Sequence, residues 1–306
     1  MNIQKANFQN ESDYVQSANT LFNFMSKPEY LYQALRNQYL APRYCKESIE
    51  YLNLRLNRRK IKDIYVLEKC FCDIPMHNLV TSFDLQVIKP KRIKKKIRQR
   101  IEAENTHPEL YGEYAISFSK EWGKRHELEP INYVQENTSY VNNTLSKSIN
   151  TLVKYDDLPD EVSEDYINRL CYLKPLHGEM ERKIQIEDDI YRVTVWKNFN
   201  NEREWRYVPS VSTAQNFHIS RMYVSVSDQR IIDRLNEAIS QPKYKNTGLS
   251  FTFSDIQYLI VPDNNARIVL IKEIEKIFES LSNYKNIEKE LLISKIITLS
   301  EIKKDW

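Results

Sequence analysis

With 306 residues, 41% of them hydrophobic and 28% charged, the chain can bury a sizeable core, which excludes global disorder. A formal charge of +3 is close to balance, so attraction to nucleic acid or membrane can arise only from a local cluster. Four glycines, with neither G-x-G-x-x-G nor G-x-x-x-x-G-K-[ST], exclude Rossmann and P-loop nucleotide binding.

The opening residues, MNIQKANFQNESDY, hold no apolar signal core, and no stretch approaches the ~18 apolar residues of a membrane span. A cytoplasmic protein without membrane contact is expected. Cys45, Cys70, Cys72 and Cys171 fit that compartment as reduced thiols.

In chain order, Thr20 to Phe24 suits a short strand. Ser26-Lys27-Pro28-Glu29 reads as a capping box, followed by Tyr30, Leu31, Ala34 and Leu35 at helical spacing. A loop Leu40 to Tyr44 and a second helix over Lys46 to Arg58 come next. Ile64 to Phe71 is β-branched and aromatic, hence a strand, ended by Asp73-Ile74-Pro75. Glu113 to Phe118 and Ile131 to Val134 are further strands, and Val141 to Val153 and Pro159 to Leu170 are helices. Ile184 to Val208 returns to strands, as do Leu249 to Phe253 and Ile256 to Val261. Asp263 caps a helix whose stripe is Ile268, Ile271, Ile274, Ile277, Phe278 and Leu281. The tail, Ile287 to Trp306, is helical and then extended. Strands and helices alternate without a strict βαβ rhythm. This predicts one α+β domain over 1–306, a split β-sheet with packed helices and an insertion at 84–106 carrying a basic helix.

That helix, Lys89 to Arg100 (KPKRIKKKIRQR), has eight Lys or Arg among twelve residues, over a ridge of Ile93, Ile97 and Ile101. Lys91, Arg92, Lys94, Lys95, Lys96 and Arg98 are candidate contacts for nucleic-acid phosphates or an acidic partner protein. A solvated helix face would carry the same residues. The segment has no aromatic for base stacking, so it does not suit single-strand reading.

Cys70 and Cys72 share a strand face near His77, but C-x-C lacks the spacing and ligand count of structural zinc, and no metal is expected. G-x-S-x-G and H-E-x-x-H are absent.

Leu21-Phe-Asn-Phe24, Ala41-Pro-Arg-Tyr44, Cys70-Phe-Cys-Asp-Ile-Pro75, Tyr111-Gly-Glu-Tyr114 and Ser119-Lys-Glu-Trp-Gly123 occur in that order. Pro130, Tyr133 and Glu202-Arg-Glu-Trp-Arg-Tyr-Val-Pro209 follow. Together these stretches resemble the AbiGi family of abortive-infection proteins. The resemblance implies a role in halting phage multiplication, often from a two-gene operon, in which such a product is labelled the antitoxin and has a partner toxin.

The opening strand, helix and basic-aromatic loop, with the later E-x-E strand, are also similar to the plan of ADP-ribosyltransferases. That likeness implies NAD as a substrate, with no permanently bound cofactor. Cleaving the nicotinamide–ribose bond builds positive charge on the sugar, which a carboxylate stabilises. On a strand, Glu202, Glu204 and Arg206 would share a face towards a cleft, with Trp205 and Tyr207 on the core side. Glu204 is then the candidate catalytic carboxylate and Glu202 its assistant. Arg43 would hold the pyrophosphate, Tyr44 or Tyr111 would stack on nicotinamide, and Asn23 would face the ribose. Salt-bridged strand glutamates, without catalysis, are the alternative for Glu202 and Glu204.

Overall fold

The computed structural model describes residues 18–56, 58–90, 94–103, 105–152, 160–186, 189–224, 228–281 and 286–305. Lys91, Arg92, Ile93, Val153, Pro159 and Trp306 lie outside the described residues. The fold is α+β, with helices packed on several sheets.

The main sheet has nine strands. In chain order they are β1 (Thr20–Met25), β2 (Arg43–Ser48), β3 (Asp63–Cys72), β4 (Tyr114–Ser119), β5 (Glu129–Pro130), β6 (Glu204–Tyr207), β7 (Met222–Val224), β8 (Ile256–Val261) and β9 (Ile296–Thr298). The spatial order is β9-β8-β4-β1-β3-β6-β5, with β2 and β7 also on β3. Within this sheet, among the described residues, only the β8–β9 pair is parallel.

The ten residues of β3 organise the sheet. Val66 is paired with both Cys45 of β2 and Met222 of β7, so those strands flank the first half. Cys72 is paired with both Phe22 of β1 and Glu204 of β6, which flank the second half. On one face Leu21, Phe71, Phe118, Trp122, Tyr207 and Leu259 join the largest core; Phe22, Cys72, Ala115 and Ile260 form another beneath the opposite face. Helix α1 (Pro28–Asn37) seats Leu31, Ala34 and Leu35 in the first of these, leaving Tyr30 exposed.

A second sheet pairs Gln86–Lys89 with the hairpin His177–Ile186 and Asp189–Asn198. Helix α2 (Lys95–Ala103) packs against it through Ile101, which is buried with Leu85, Val87, Val193 and Val195. The two strands of the parallel pair, Asn132–Val134 and Leu173–Pro175, flank in sequence the helical segments that include α4 (Asp160–Cys171), while the short helix α3 (His107–Tyr111) precedes β4. Among the described residues no helix is long and apolar enough to cross a membrane.

Several elements differ from the sequence reading. The capping box at Ser26 does not form: Lys27 is the N-cap without a side-chain bond, and Pro28 opens α1. The helix expected over Lys46 to Arg58 is instead the end of β2, a single 3-10 turn at Glu50–Leu52 and a small hairpin. Pairing of Arg43–Ser48 along β3 outweighs the helical preference of the Lys and Glu residues. Of Leu249 to Phe253, only Leu249–Ser250 is strand; Phe251 and Phe253 are core residues of the following turn, which Asp255 holds by accepting from the Thr252 N–H. Helix α5 (Asn264–Ser280) is capped by Asp263 as expected, but Ile268 faces solvent while Leu270 is buried.

Gly112, in the turn into β4, has φ of +120°, and a Cβ there would lie 2.1 Å from the Met25 carbonyl oxygen. Gly112→Ala should therefore destabilise by at least ~1–3 kcal/mol, the range for a strained backbone residue. An unchanged thermal midpoint would contradict this.

Candidate functional site

Strand register decides which candidate residues meet. Glu204 opposes Cys72 and Arg206 opposes Cys70, so these side chains and Glu68 share one face of the sheet. Asn23 opposes Ile116, and Tyr44 opposes Leu67, which places both on the other face. Asn23 donates to the Cys70 carbonyl at 2.7 Å, and the buried Tyr44 hydroxyl donates to the Ser220 carbonyl at 2.6 Å. The sheet itself thus separates Asn23 and Tyr44 from the glutamates, so the expected common cleft does not assemble. Arg43, opposite Glu68, is exposed at the rim of the glutamate face. Tyr111, at the end of α3, does reach Glu202 and donates its hydroxyl to Oε1.

The E-x-E segment is not a continuous strand. Glu202 ends a 3-10 turn, Arg203 has φ of +44°, and β6 begins only at Glu204. The turn swings Glu202 towards the hairpin sheet while Glu204 and Arg206 stay on the main one. Trp205 and Tyr207 pack on the core side as expected.

What gathers around these residues is a buried chain of alternating charge. Lys197, fully buried on the hairpin strand, lies 2.8 Å from Glu202 Oε1. Lys174, on the parallel pair, bridges Glu202 Oε2 at 3.0 Å and Glu204 Oε2 at 2.9 Å. Arg206 continues from Glu204 Oε1 at 2.8 Å to Glu47 at 2.7 Å and Glu68 at 2.9 Å, and donates to the Cys171 carbonyl at 2.6 Å. The Lys197 ammonium also sits over the rings of Phe83, at 4.2 Å, and Tyr111, at 4.7 Å. The Glu204 N–H donates to the Tyr133 hydroxyl at 3.0 Å.

Burial pushes the Glu202 carboxyl up, but Lys174 and Lys197 outweigh it and hold the group well below the usual range. For Glu204, Arg206 and Lys174 outweigh burial in the same direction. Glu68 goes the other way: burial raises it to about 8 despite Arg206. With Glu68 protonated, Glu47, Glu202 and Glu204 balance Lys174, Lys197 and Arg206. Burial, reinforced by Glu202, pushes the Tyr111 phenol far up, and burial together with Lys197 lowers His107 to about 3.

These shifts set opposite pH dependences. Glu202 and Glu204, depressed in the fold, contribute stability above ~pH 4.3 that is lost as pH falls. Glu68, raised in the fold, contributes stability below ~pH 4.3 that is lost as pH climbs towards about 8. Glu68→Gln should therefore remove most of the decline in urea midpoint between about pH 5 and about pH 8. An equal decline in both proteins would contradict the assignment.

The ligand atoms of Glu68, Cys70 and Glu204 lie within 4.8 Å of one another. The Arg206 guanidinium fills the same space, so the chain supplies its own cation there. Cys70 donates its thiol to Glu68 at 3.3 Å, and His77 is exposed on another segment.

Lys174, Lys197, Glu47 and Glu68 were not legible as site residues, yet two left a signal. Val193, Val195 and Lys197 alternate on one buried face, as do Ile64, Val66, Glu68 and Cys70. A charged residue at the apolar position of an alternating strand marks a buried partner.

A family model described as "Putative abortive phage resistance protein AbiGi, antitoxin" matches residues 101–262. The chain is 29% identical over 270 residues to "Abortive phage resistance protein AbiGi" of Lactococcus lactis subsp. cremoris, covering 87% of this chain and 98% of that protein. No solved structure matches.

Proposed function

Since the chain belongs to the AbiGi family of abortive phage resistance proteins, we propose that it serves phage defence as an antitoxin-type binding protein. It holds a toxin partner and performs no chemistry at its acidic cluster. The observation that carries this reading is the state of the two glutamates. All four carboxylate oxygens are engaged: Glu202 by Lys197, Tyr111 and Lys174, and Glu204 by Arg206 and Lys174. A carboxylate that stabilises charge developing on a ribose must present an oxygen to the sugar. Here both side chains are about 5% exposed, and the residues expected to hold NAD lie on two faces of the sheet.

In this reading the ion network locks the hairpin sheet, the parallel pair and the main sheet into one surface for the partner. Co-expression with the product of the adjacent gene should give a stable complex and relieve that product's toxicity. The complex should survive Arg43→Ala, which removes the expected pyrophosphate contact without touching the network. Absence of both complex and relief would overturn the reading.

A further inference from the structure

We propose that the cavity between α4 and the turn at 217–221 receives a tyrosine or tryptophan side chain of the partner protein, an inference that rests on the antitoxin-type reading above. The cavity measures about 530 Å³, inside the ~300–1,000 Å³ range of ordinary ligand pockets. Ile167 of α4, Val211 and Ala214 of the short helix Val211–Asn216, and Ile219 form its apolar walls. Glu164 and Arg221 form its polar side. Neither belongs to the ion network around Glu202 and Glu204.

The walls are fixed by contacts of their own. Arg221 is buried, its Nε donates to the Pro209 carbonyl at 2.7 Å, and its Nη2 donates to Asn168 Oδ1. Its Nη1 lies 2.9 Å from Glu164 Oε2. The Arg221 carbonyl accepts from the Leu67 N–H at 2.9 Å, which ties the turn to β3. On the opposite wall, α4 is held at Cys171, whose carbonyl accepts from Arg206. A cavity held on both sides before a partner arrives needs little ordering on binding.

The lining selects its occupant by charge, shape and hydrogen bonding. Glu164 already balances Arg221, so a carboxylate or ammonium entering beside them would bring an uncompensated charge out of water. Four apolar wall residues call for an apolar body, and Ser, Thr, Asn or Gln is too small and too polar to cover them. Glu164 Oε2 is taken by Arg221, while Oε1 has no partner among the described residues. That open acceptor is filled by an O–H or an indole N–H, and not by Phe, Leu or Met. Tyrosine and tryptophan combine an apolar ring, no charge and a donor at the tip. The Arg221 guanidinium adds a cation on which such a ring can pack. A nucleobase shares part of this pattern, but the antitoxin description of the matching family favours a protein occupant.

The test is the affinity of the full chain for the product of the adjacent gene, with Val211→Trp filling the cavity from its half-buried wall. Val211→Trp should weaken the complex roughly 30-fold or more, the size of a hot-spot anchor, at an unchanged thermal midpoint. Replacing each Tyr and Trp of the partner by Ala, one at a time, should find one whose loss weakens the wild-type complex comparably. The same loss should change the Val211→Trp complex little. Glu164→Gln is the milder second variant, should Val211→Trp not fold: it should weaken the wild-type complex but not the one lacking that aromatic. A complex that these variants and the partner scan leave intact overturns the inference and leaves the antitoxin-type reading standing. Free guanosine occupying the cavity, with partner affinity unchanged in Val211→Trp, would assign it to a small molecule and overturn the inference as well. No complex with the wild type overturns the reading itself, and the inference with it.

Discussion

Arg206→Met should cost ~3–5 kcal/mol, the penalty for removing one partner of a buried ion pair. Arg206 is fully buried and is the only cation among the described residues that contacts Glu47, Glu68 and Glu204 together. Methionine fills much of the aliphatic volume, so the loss is electrostatic more than steric. It leaves carboxylates from three strands facing one another, and it leaves the Cys171 carbonyl without its donor. Against a total stability of ~5–15 kcal/mol for a typical domain, that is a large share. Urea denaturation measures it directly. A shift below ~1 kcal/mol would mean that the network is only weakly coupled to folding.

Lys197→Met should be of similar size, ~3–5 kcal/mol, because Glu202 would then share Lys174 with Glu204 and the cluster would carry an excess negative charge. The informative comparison is the double variant Lys197→Met/Glu202→Gln. It removes one charge of each sign, and leaves Lys174 and Arg206 balanced by Glu47 and Glu204. It should be more stable than Lys197→Met alone by ~1–3 kcal/mol, the coupling expected of contacting residues. Additive losses in the cycle would show that Lys197 acts through its packing on Phe83 and Tyr111 and not through Glu202.

Local pattern made much of the fold legible. β1, β3, β4, β8 and the capped helix α5 fall where alternation, β-branching and Asp263 place them. Failures came where a distant partner outweighs local preference. Lys46, Glu47 and Glu50 read as helix formers, but β3 offers a ladder to Arg43–Ser48 that the local sequence cannot announce. The candidate site failed for a related reason. Glu202, Glu204 and Arg206 share parity in sequence, yet the left-handed Arg203 breaks the strand between the glutamates. Tyr111, expected to stack on nicotinamide, lies beside Glu202 and donates its hydroxyl to it. Asn23 and Tyr44 fell on the wrong face because face assignment across a sheet depends on register, which hydrophobic pattern fixes only within a strand. Two of the cations that neutralise the glutamates, Lys174 and Lys197, come from two other sheets.

The network also explains how a chain with 28% charged residues can bury so many of them. Each carboxylate in it meets a cation, and most meet a further donor, which is the condition under which buried charge is tolerated. Buried pairs are weak sources of net stability compared with apolar packing. On the proposed reading their contribution is specificity, holding the hairpin sheet in one docking on the main sheet.

The measurement that tests the central claim most directly is NAD consumption by the purified protein, alone and with phage-infected lysate, compared between wild type and a folded Glu204→Gln variant. A structural network predicts no NAD loss and no label transferred in either protein. Turnover by the wild type that disappears in Glu204→Gln would contradict it and make Glu204 a catalytic carboxylate.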